Sequence, residues 1–202
     1  MSFLVSISMK RFMIILGVFI GIFILFEIYI LISRNTIESY PYKVMEKYDN
    51  FEIRTYEASL FTSVKLPMKD YKRASSSGFR QLAGYIFGGN ETNKKIAMTS
   101  PVVISIDDST EMMFMVPKKL KKEKLPKPNQ NSIVFKEMPE KKMAAFRFGG
   151  WASDEKIERY KKRLTAALDA KGIKHTGRFC YFGYNPPFDI LFRKNEVVVE
   201  LD

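Results

Sequence analysis

From Phe12 to Ile32 the chain reads FMIILGVFIGIFILFEIYILI, with Glu27 as its one charged side chain. No face of a helix drawn on this segment is polar, so the pattern is not that of an amphipathic surface helix. At 1.5 Å per residue it is about 31 Å long, against a hydrocarbon core of about 30 Å. Lys10 and Arg11 flank one end and Arg34 the other. The run is longer than the apolar region of a signal peptide, and LISRNT lacks a small-residue cleavage pattern. The expectation is an uncleaved, single-pass transmembrane anchor. Residues 12–32 meet membrane lipid, 1–34 form the anchor, and 35–202 form a separate domain. Glu27 lies past the midplane, where a carboxylate is protonated or snorkels. Gly17 and Gly21 form a G-x-x-x-G, a surface on which two such helices can make a homodimer. The flanking cations nearly balance, so orientation stays open, with the soluble domain placed outside the cytoplasm as the favoured side.

Beyond Arg34 the pattern changes to short runs with partial alternation. Tyr42–Asp49, Phe51–Glu57 and Ser59–Leu66 read as strands. Asp70 then caps a helix running to about Phe87, with Tyr71, Ala74, Ser75, Gly78, Leu82, Tyr85 and Ile86 near one face. Gly88-Gly89-Asn90 stops it. Ile96–Ile106 and Glu111–Val116 read as a hairpin turning at Asp107-Asp108. After the loop PKKLKKEKLPKPNQ the pattern restarts: strands Ser132–Met138 and Lys142–Phe148, then a helix Asp154–Lys171 capped by Ser153 and closed by Gly172. Strands Arg178–Tyr184 and Glu196–Leu201 follow, with an extended Phe188–Phe192 between them. The layout of one or more strands, a helix, a strand and a strand therefore occurs twice, at a period of 80–90 residues. That predicts an α+β fold of two similar halves sharing one core.

Composition narrows the chemistry. The 202 residues hold one His, one Cys and one Trp. One cysteine excludes an internal disulfide and multi-cysteine metal sites, and one histidine excludes two-histidine metal sites. Lys plus Arg number 33 against 22 Asp plus Glu, a formal charge of +11. Of these, residues 35–202 hold 30 and 21. The surplus points to an anionic partner. Lys118–Lys127 carries six lysines and one glutamate, which reads as a solvated loop or a surface for an anionic leaflet. No nucleic-acid motif interleaves aromatics with it, so no nucleic-acid partner is expected.

Five blocks then stand in order: KRASSSGFRQLAGYIFGGN, KKIAMTSPV, FMVP with LPKPN, AAFRFGGW, and GYNPPF with FRKNEVVVEL. Together they resemble the SOUL family of haem-binding proteins, from about Pro41 to the C-terminus. The resemblance implies a two-fold repeated β-α-β-β fold forming a twisted antiparallel β-barrel with two flanking helices. It is similar to GyrI-like ligand-binding domains. It also implies binding of haem or another tetrapyrrole in an apolar cleft, and no catalysis in most members.

A tetrapyrrole needs an apolar wall and cations for its propionates. The first domain helix offers Leu82, Ala83, Tyr85 and Ile86 beside Arg73 and Arg80, which are two turns apart. Met98 is a further lining candidate. Arg73 and Arg80 are equally read as a solvated basic face, and the four apolar residues as core. Axial ligation is unassigned: the region IESYPYKVMEKYDN has no histidine where some family members are thought to carry one, and His175 sits in the turn GIKHTG. The leading reading is a membrane-anchored, non-enzymatic tetrapyrrole carrier, buffer or sensor. The alternatives are a tethered protein-interaction domain without ligand, and a GyrI-like enzyme using Glu196 or Glu111 as acid or base.

Overall fold

The computed structural model describes residues 2–34, 37–68, 70–106, 110–186, 189 and 193–202, with the side chains of the first helix described over 9–28. The chain divides into two compact units, Met1–Ile37 and Glu38–Asp202. The first is one helix, α1 (Ser2–Arg34). Its stretch Met9–Ile28 is long and apolar enough to cross a membrane, a test of length and composition that a signal sequence also passes. Phe12, Ile15, Phe19, Ile22 and Leu25 are all exposed, unlike the residues of a core helix. At Gly17 and Gly21 an added Cβ would meet nothing within 4 Å.

The second unit contains β1 (Tyr42–Lys47), β2 (Glu52–Tyr56), β3 (Ser59–Leu66), α2 (Tyr71–Ile86), β4 (Val102–Ser105) and β5 (Thr110–Met115). It continues with β6 (Ile133–Met138), β7 (Lys141–Phe148), α3 (Asp154–Asp169), β8 (His175–Gly183) and β9 (Asn195–Leu201). All nine strands join one antiparallel sheet in the order β1-β2-β7-β9-β8-β4-β5-β3-β6. β1 and β6 are its edges, so the expected barrel is a half-barrel within an α+β fold.

The repeat is visible in this order. In one half β5 lies between β3 and β4; in the other β9 lies between β7 and β8; the halves join where β4 pairs with β8. Each half also has a leading strand, and these are exchanged: β2 pairs with β7, and β6 with β3. The unit is thus β-β-α-β-β, the layout of strands, helix, strand, strand that the sequence pattern reads twice. Neither half can complete its sheet edge alone.

Both sheet faces are buried, because strand side chains alternate. Val197 and Val199 of β9 face the helices, with Leu82, Ile157, Leu164 and Phe146 in the larger cluster. Val198 faces the other way, with Met113, Phe182, Tyr56 and Tyr40. α2 and α3 are amphipathic, and α2 buries Ala74, Gly78, Leu82, Tyr85 and Ile86. Gly78 allows the closest approach: a Cβ there would lie 2.9 Å from Leu66 Cδ1 and 3.0 Å from Met112 Cβ.

Some boundaries differ from the expectation. The strand expected over Ile96–Ile106 is confined to Val102–Ser105. Before it the backbone leaves the sheet: Ile96 N–H donates to Ile86 O at the end of α2, and Ser100 exchanges hydrogen bonds with Glu38 and Tyr40. Pro101 has no N–H to give a ladder. His175 is the first residue of β8, not a turn residue, with a bulge following it. α3 ends two residues early, at Asp169. Asp107-Asp108 and most of Phe188–Phe192 lie outside the described residues.

Candidate functional site

The two domain helices start side by side. Asp70 caps α2 by accepting from Arg73 N–H at 2.9 Å. Ser153 caps α3 by accepting from Lys156 N–H at 3.3 Å. The N–H of Tyr71, an orphan donor of the first turn, donates to Asp154 Oδ1 at 2.7 Å. Below this junction run β4 and β8, the central pair of the sheet. Between helices and sheet lies a groove of about 680 Å³. Small-molecule sites commonly span about 300–1,000 Å³.

Its apolar lining is Tyr71, Ile104, Ile106 and Ile157, and its charged lining is Asp154, Glu158, Lys161 and Arg178. The Tyr71 ring meets Tyr181 edge-on, with centroids 5.0 Å apart. Its hydroxyl donates to the Tyr181 hydroxyl at 3.4 Å, Tyr181 donates to Asn195 Oδ1 at 2.6 Å, and Asn195 Nδ2 donates to Gly150 O at 2.7 Å. This chain fixes the Tyr71 ring from behind. Burial pushes the Tyr181 hydroxyl far above its ordinary range, so it stays neutral. Lys161 Nζ lies 4.9 Å from the centroid of the Phe179 ring, and Arg178 Nε is 3.0 Å from Glu200 Oε2. The cations thus sit on the groove with their stems packed.

The residues expected to form the site are not gathered here. Leu82, Ala83, Tyr85 and Ile86 are buried in the larger core cluster, so α2 presents them to the sheet and not to an open cleft. The Tyr85 hydroxyl donates to Pro126 O at 3.0 Å. Met98 is half-buried and packs against the same core. Arg73 is 80% exposed, its Nε 3.6 Å from Asp70 Oδ2, and Arg80 is exposed. Neither arginine lines the groove. Tyr71 was legible as a helix-face residue. Lys161 of α3 and Arg178 of β8 are brought together only by the groove. The signal available in the sequence was the repeat, which equates Tyr71 and Asp154 as the first residues of matching helices.

Glu196, fully buried on the opposite sheet face, accepts both terminal nitrogens of Arg54 at 2.8 and 3.0 Å and the Tyr184 hydroxyl at 2.6 Å. Burial alone would raise its carboxyl; Arg54, Lys194 and Tyr184 outweigh that and lower it below 4.5. Glu111 is likewise opposed by burial but lowered by Lys136 and Ser63. Both carboxylates are ionised and fully engaged, unlike a poised general acid. His175 Nδ1 accepts from Gly177 N–H at 3.2 Å and its ring packs edge-on against Phe179. Among the described residues no three His, Cys, Asp or Glu side chains gather to hold a metal ion.

The family profile described as SOUL heme-binding protein matches residues 37–200. Among curated proteins, the chain is 26% identical over 155 residues to heme-binding protein 1 of Xenopus laevis, covering 73% of this chain and 81% of that one. It is 28% identical over 156 residues to heme-binding protein 2 of Mus musculus, covering 73% and 76%. Among solved structures, the C-terminal domain of EcmrR superposes with a TM-score of 0.59 at 11% identity, over 80% of this chain and 98% of that one. A hydrolase from Listeria innocua gives 0.56 at 8% identity, over 78% and 94%. The two superpositions establish a shared fold.

Proposed function

Because this chain belongs to the SOUL heme-binding family, we propose that it is a tetrapyrrole-binding protein without catalytic activity, held at a membrane by α1. The observation that carries this is the groove: about 680 Å³, lined by Tyr71, Ile104, Ile106 and Ile157, with Lys161 and Arg178 as its cations and Asp154 and Glu158 as its carboxylates. A flat apolar ring with two carboxylates is complementary to that combination. Burial of the ring contributes about 25 cal/mol per Å² of apolar area, and the cations hold the propionates by charge-assisted hydrogen bonds.

The iron is a separate question. His, Cys, Met or Tyr ligate haem iron. Among the described residues the groove lining holds none of the first three, and its one tyrosine is already engaged with Tyr181. These residues fit the macrocycle and its carboxylates, not the metal. Haem bound here would bring redox-active iron that this chain does little to tune. The reading is therefore a carrier, buffer or sensor that takes haem and metal-free porphyrin alike.

The test is a titration of the full chain with haemin, followed by absorbance, and with protoporphyrin, followed by fluorescence. Saturable micromolar binding of both is expected. Absence of saturation with either would overturn the reading.

A further inference from the structure

Between β5 and β6, residues 117–130 carry lysines at 118, 119, 121, 122, 124 and 127. This loop is built into the fold. Leu125 and Pro126 are buried. Pro126 O accepts from Tyr85, Asn129 N–H donates to Gly89 O at 3.2 Å, and Lys127 and Glu91 are joined by two hydrogen bonds. Two lysines are neutralised locally: Lys118 Nζ lies 2.6 Å from Glu57 Oε2, and Lys122 Nζ 2.8 Å from Glu137 Oε1. Lys119, Lys121 and Lys124 are exposed, and none has an acidic side-chain partner among the described residues, while exposed Lys127 has the Glu91 carboxylate on its backbone N–H. Glu123 is the one carboxylate within the loop. The fold thus holds uncompensated positive charge at fixed positions.

The loop is also fastened to the start of its unit. Lys118 N–H donates to Glu38 Oε1 at 2.8 Å. Glu38 opens the unit, and α1 ends four residues earlier, at Arg34. Four residues reach at most about 14 Å when fully extended. Attraction between surface charges fades over about 8–10 Å at physiological salt, so a lysine loop feels a leaflet only when held near it. The link bounds the reach of Glu38 from the end of α1, and the loop is bonded to Glu38 at Lys118.

We propose that the loop is a docking surface for anionic phospholipid headgroups on the leaflet from which α1 emerges. This rests on the reading of α1 as a membrane span. Lysine suits such a surface, because a hydrated point charge attracts headgroup phosphates without a fixed geometry. The loop contains no aromatic residue on which a nucleobase would stack.

The experiment is limited trypsin digestion of the wild-type full chain in lipid nanodiscs, with cleavage after Lys119, Lys121 and Lys124 followed by mass spectrometry. Cleavage after the exposed Lys174, on the far side of α3 in sequence, serves as the internal reference. Discs of phosphatidylcholine are compared with discs containing about one-third phosphatidylglycerol, an anionic surface that attracts basic segments. Loop cleavage relative to the reference is expected to slow at least about fivefold on anionic discs and to recover in high salt, where the field is screened. Equal relative rates on both discs, with the chain resisting alkaline carbonate extraction from membranes, would overturn the docking surface and leave the anchor standing. Release by carbonate would overturn both. Slowing by added RNA on neutral discs, with no effect of anionic lipid, would assign the charge to another polyanion and overturn the proposal.

Discussion

Tyr71 N–H donates to Asp154 Oδ1 at 2.7 Å, joining the first residue of α2 to the first residue of α3. The contact crosses the line where the two halves of the sheet meet, above β4 and β8. It satisfies an orphan donor of one helix with the side chain of the other. Both residues line the groove. The groove's mouth is therefore set by the seam of the repeat.

Asp154→Ala removes that acceptor. Loss of a comparable cap costs about 1 kcal/mol, so the urea midpoint of the full chain should fall by a corresponding amount. Asp154→Asn retains an oxygen acceptor and should recover most of it. An Asp154→Ala midpoint equal to wild type would show that the junction contributes nothing.

The Arg54–Glu196 pair is a second place where single changes matter. Glu196→Gln takes from the buried Arg54 its bidentate carboxylate and leaves the half-buried Glu52, 2.8 Å away, as its remaining counterion, so the loss should fall below the roughly 3–5 kcal/mol of a fully unpaired buried charge. Arg54→Met together with Glu196→Leu should be milder than Glu196→Gln, because the buried pair goes as a unit and only the partly exposed Glu52 and Lys194 lose a partner. Thermal unfolding of the two variants gives the ranking.

The same pair sets a pH dependence. The carboxyls of Glu196, Glu111 and Glu200 are each held below their ordinary value of 4.5: burial opposes this, and Arg54, Lys136 and Lys141 respectively help to prevail. A carboxyl lowered by folding binds protons more readily when unfolded. Its contribution is thus present above the unfolded value and lost as pH falls through the folded one. Unfolding free energy should be steady from neutral pH to about 5 and drop below about 4.5, near the unfolded carboxylate range. Glu196→Gln should flatten that drop, as urea denaturation from pH 7 to 3 would show.

Two glycines of α2 should respond in opposite directions. Gly84 is exposed, with nothing within 4 Å of an added Cβ, so Gly84→Ala should stabilise by about 0.5–1 kcal/mol through helix propensity. At Gly78 the new Cβ would press on Met112 Cβ and Leu66, and overpacking typically costs about 1–3 kcal/mol. Gly78→Ala should therefore show no net gain, and Gly78→Val a clear loss. Thermal midpoints of the three variants separate the cases.

The sequence shows local structure well because local rules govern it. Asp70 and Ser153 cap the helices as their position before an apolar-periodic run predicts. β3 runs from Ser59 to Leu66, where the alternating pattern ends at Pro67. What it conceals is non-local. The exchange of β2 and β6 between halves is a choice of partner, and no periodicity encodes it. The same limit applies to the site. Leu82, Tyr85 and Ile86 carry the same apolar character whether they line a cleft or fill a core, and the sheet claims them for the core. Lys161 and Arg178 are 17 positions apart and look like surface charges until the groove brings α3 and β8 to one lining. Residues 96–101 read as strand because their apolar content is right; their backbone hydrogen bonds go instead to the end of α2 and to Glu38–Tyr40.

The most direct measurement is a set of protoporphyrin binding isotherms for three forms of the full chain: wild type, Lys161→Gln with Arg178→Gln, and Arg73→Gln with Arg80→Gln. Loss of the groove's two cations is predicted to weaken binding about tenfold or more, as expected for two charge-assisted contacts, with Arg73→Gln and Arg80→Gln leaving affinity as in wild type. Unchanged affinity in the Lys161 and Arg178 variant, or a loss confined to the Arg73 and Arg80 variant, would contradict the placement of the tetrapyrrole between the helix starts and the central strands.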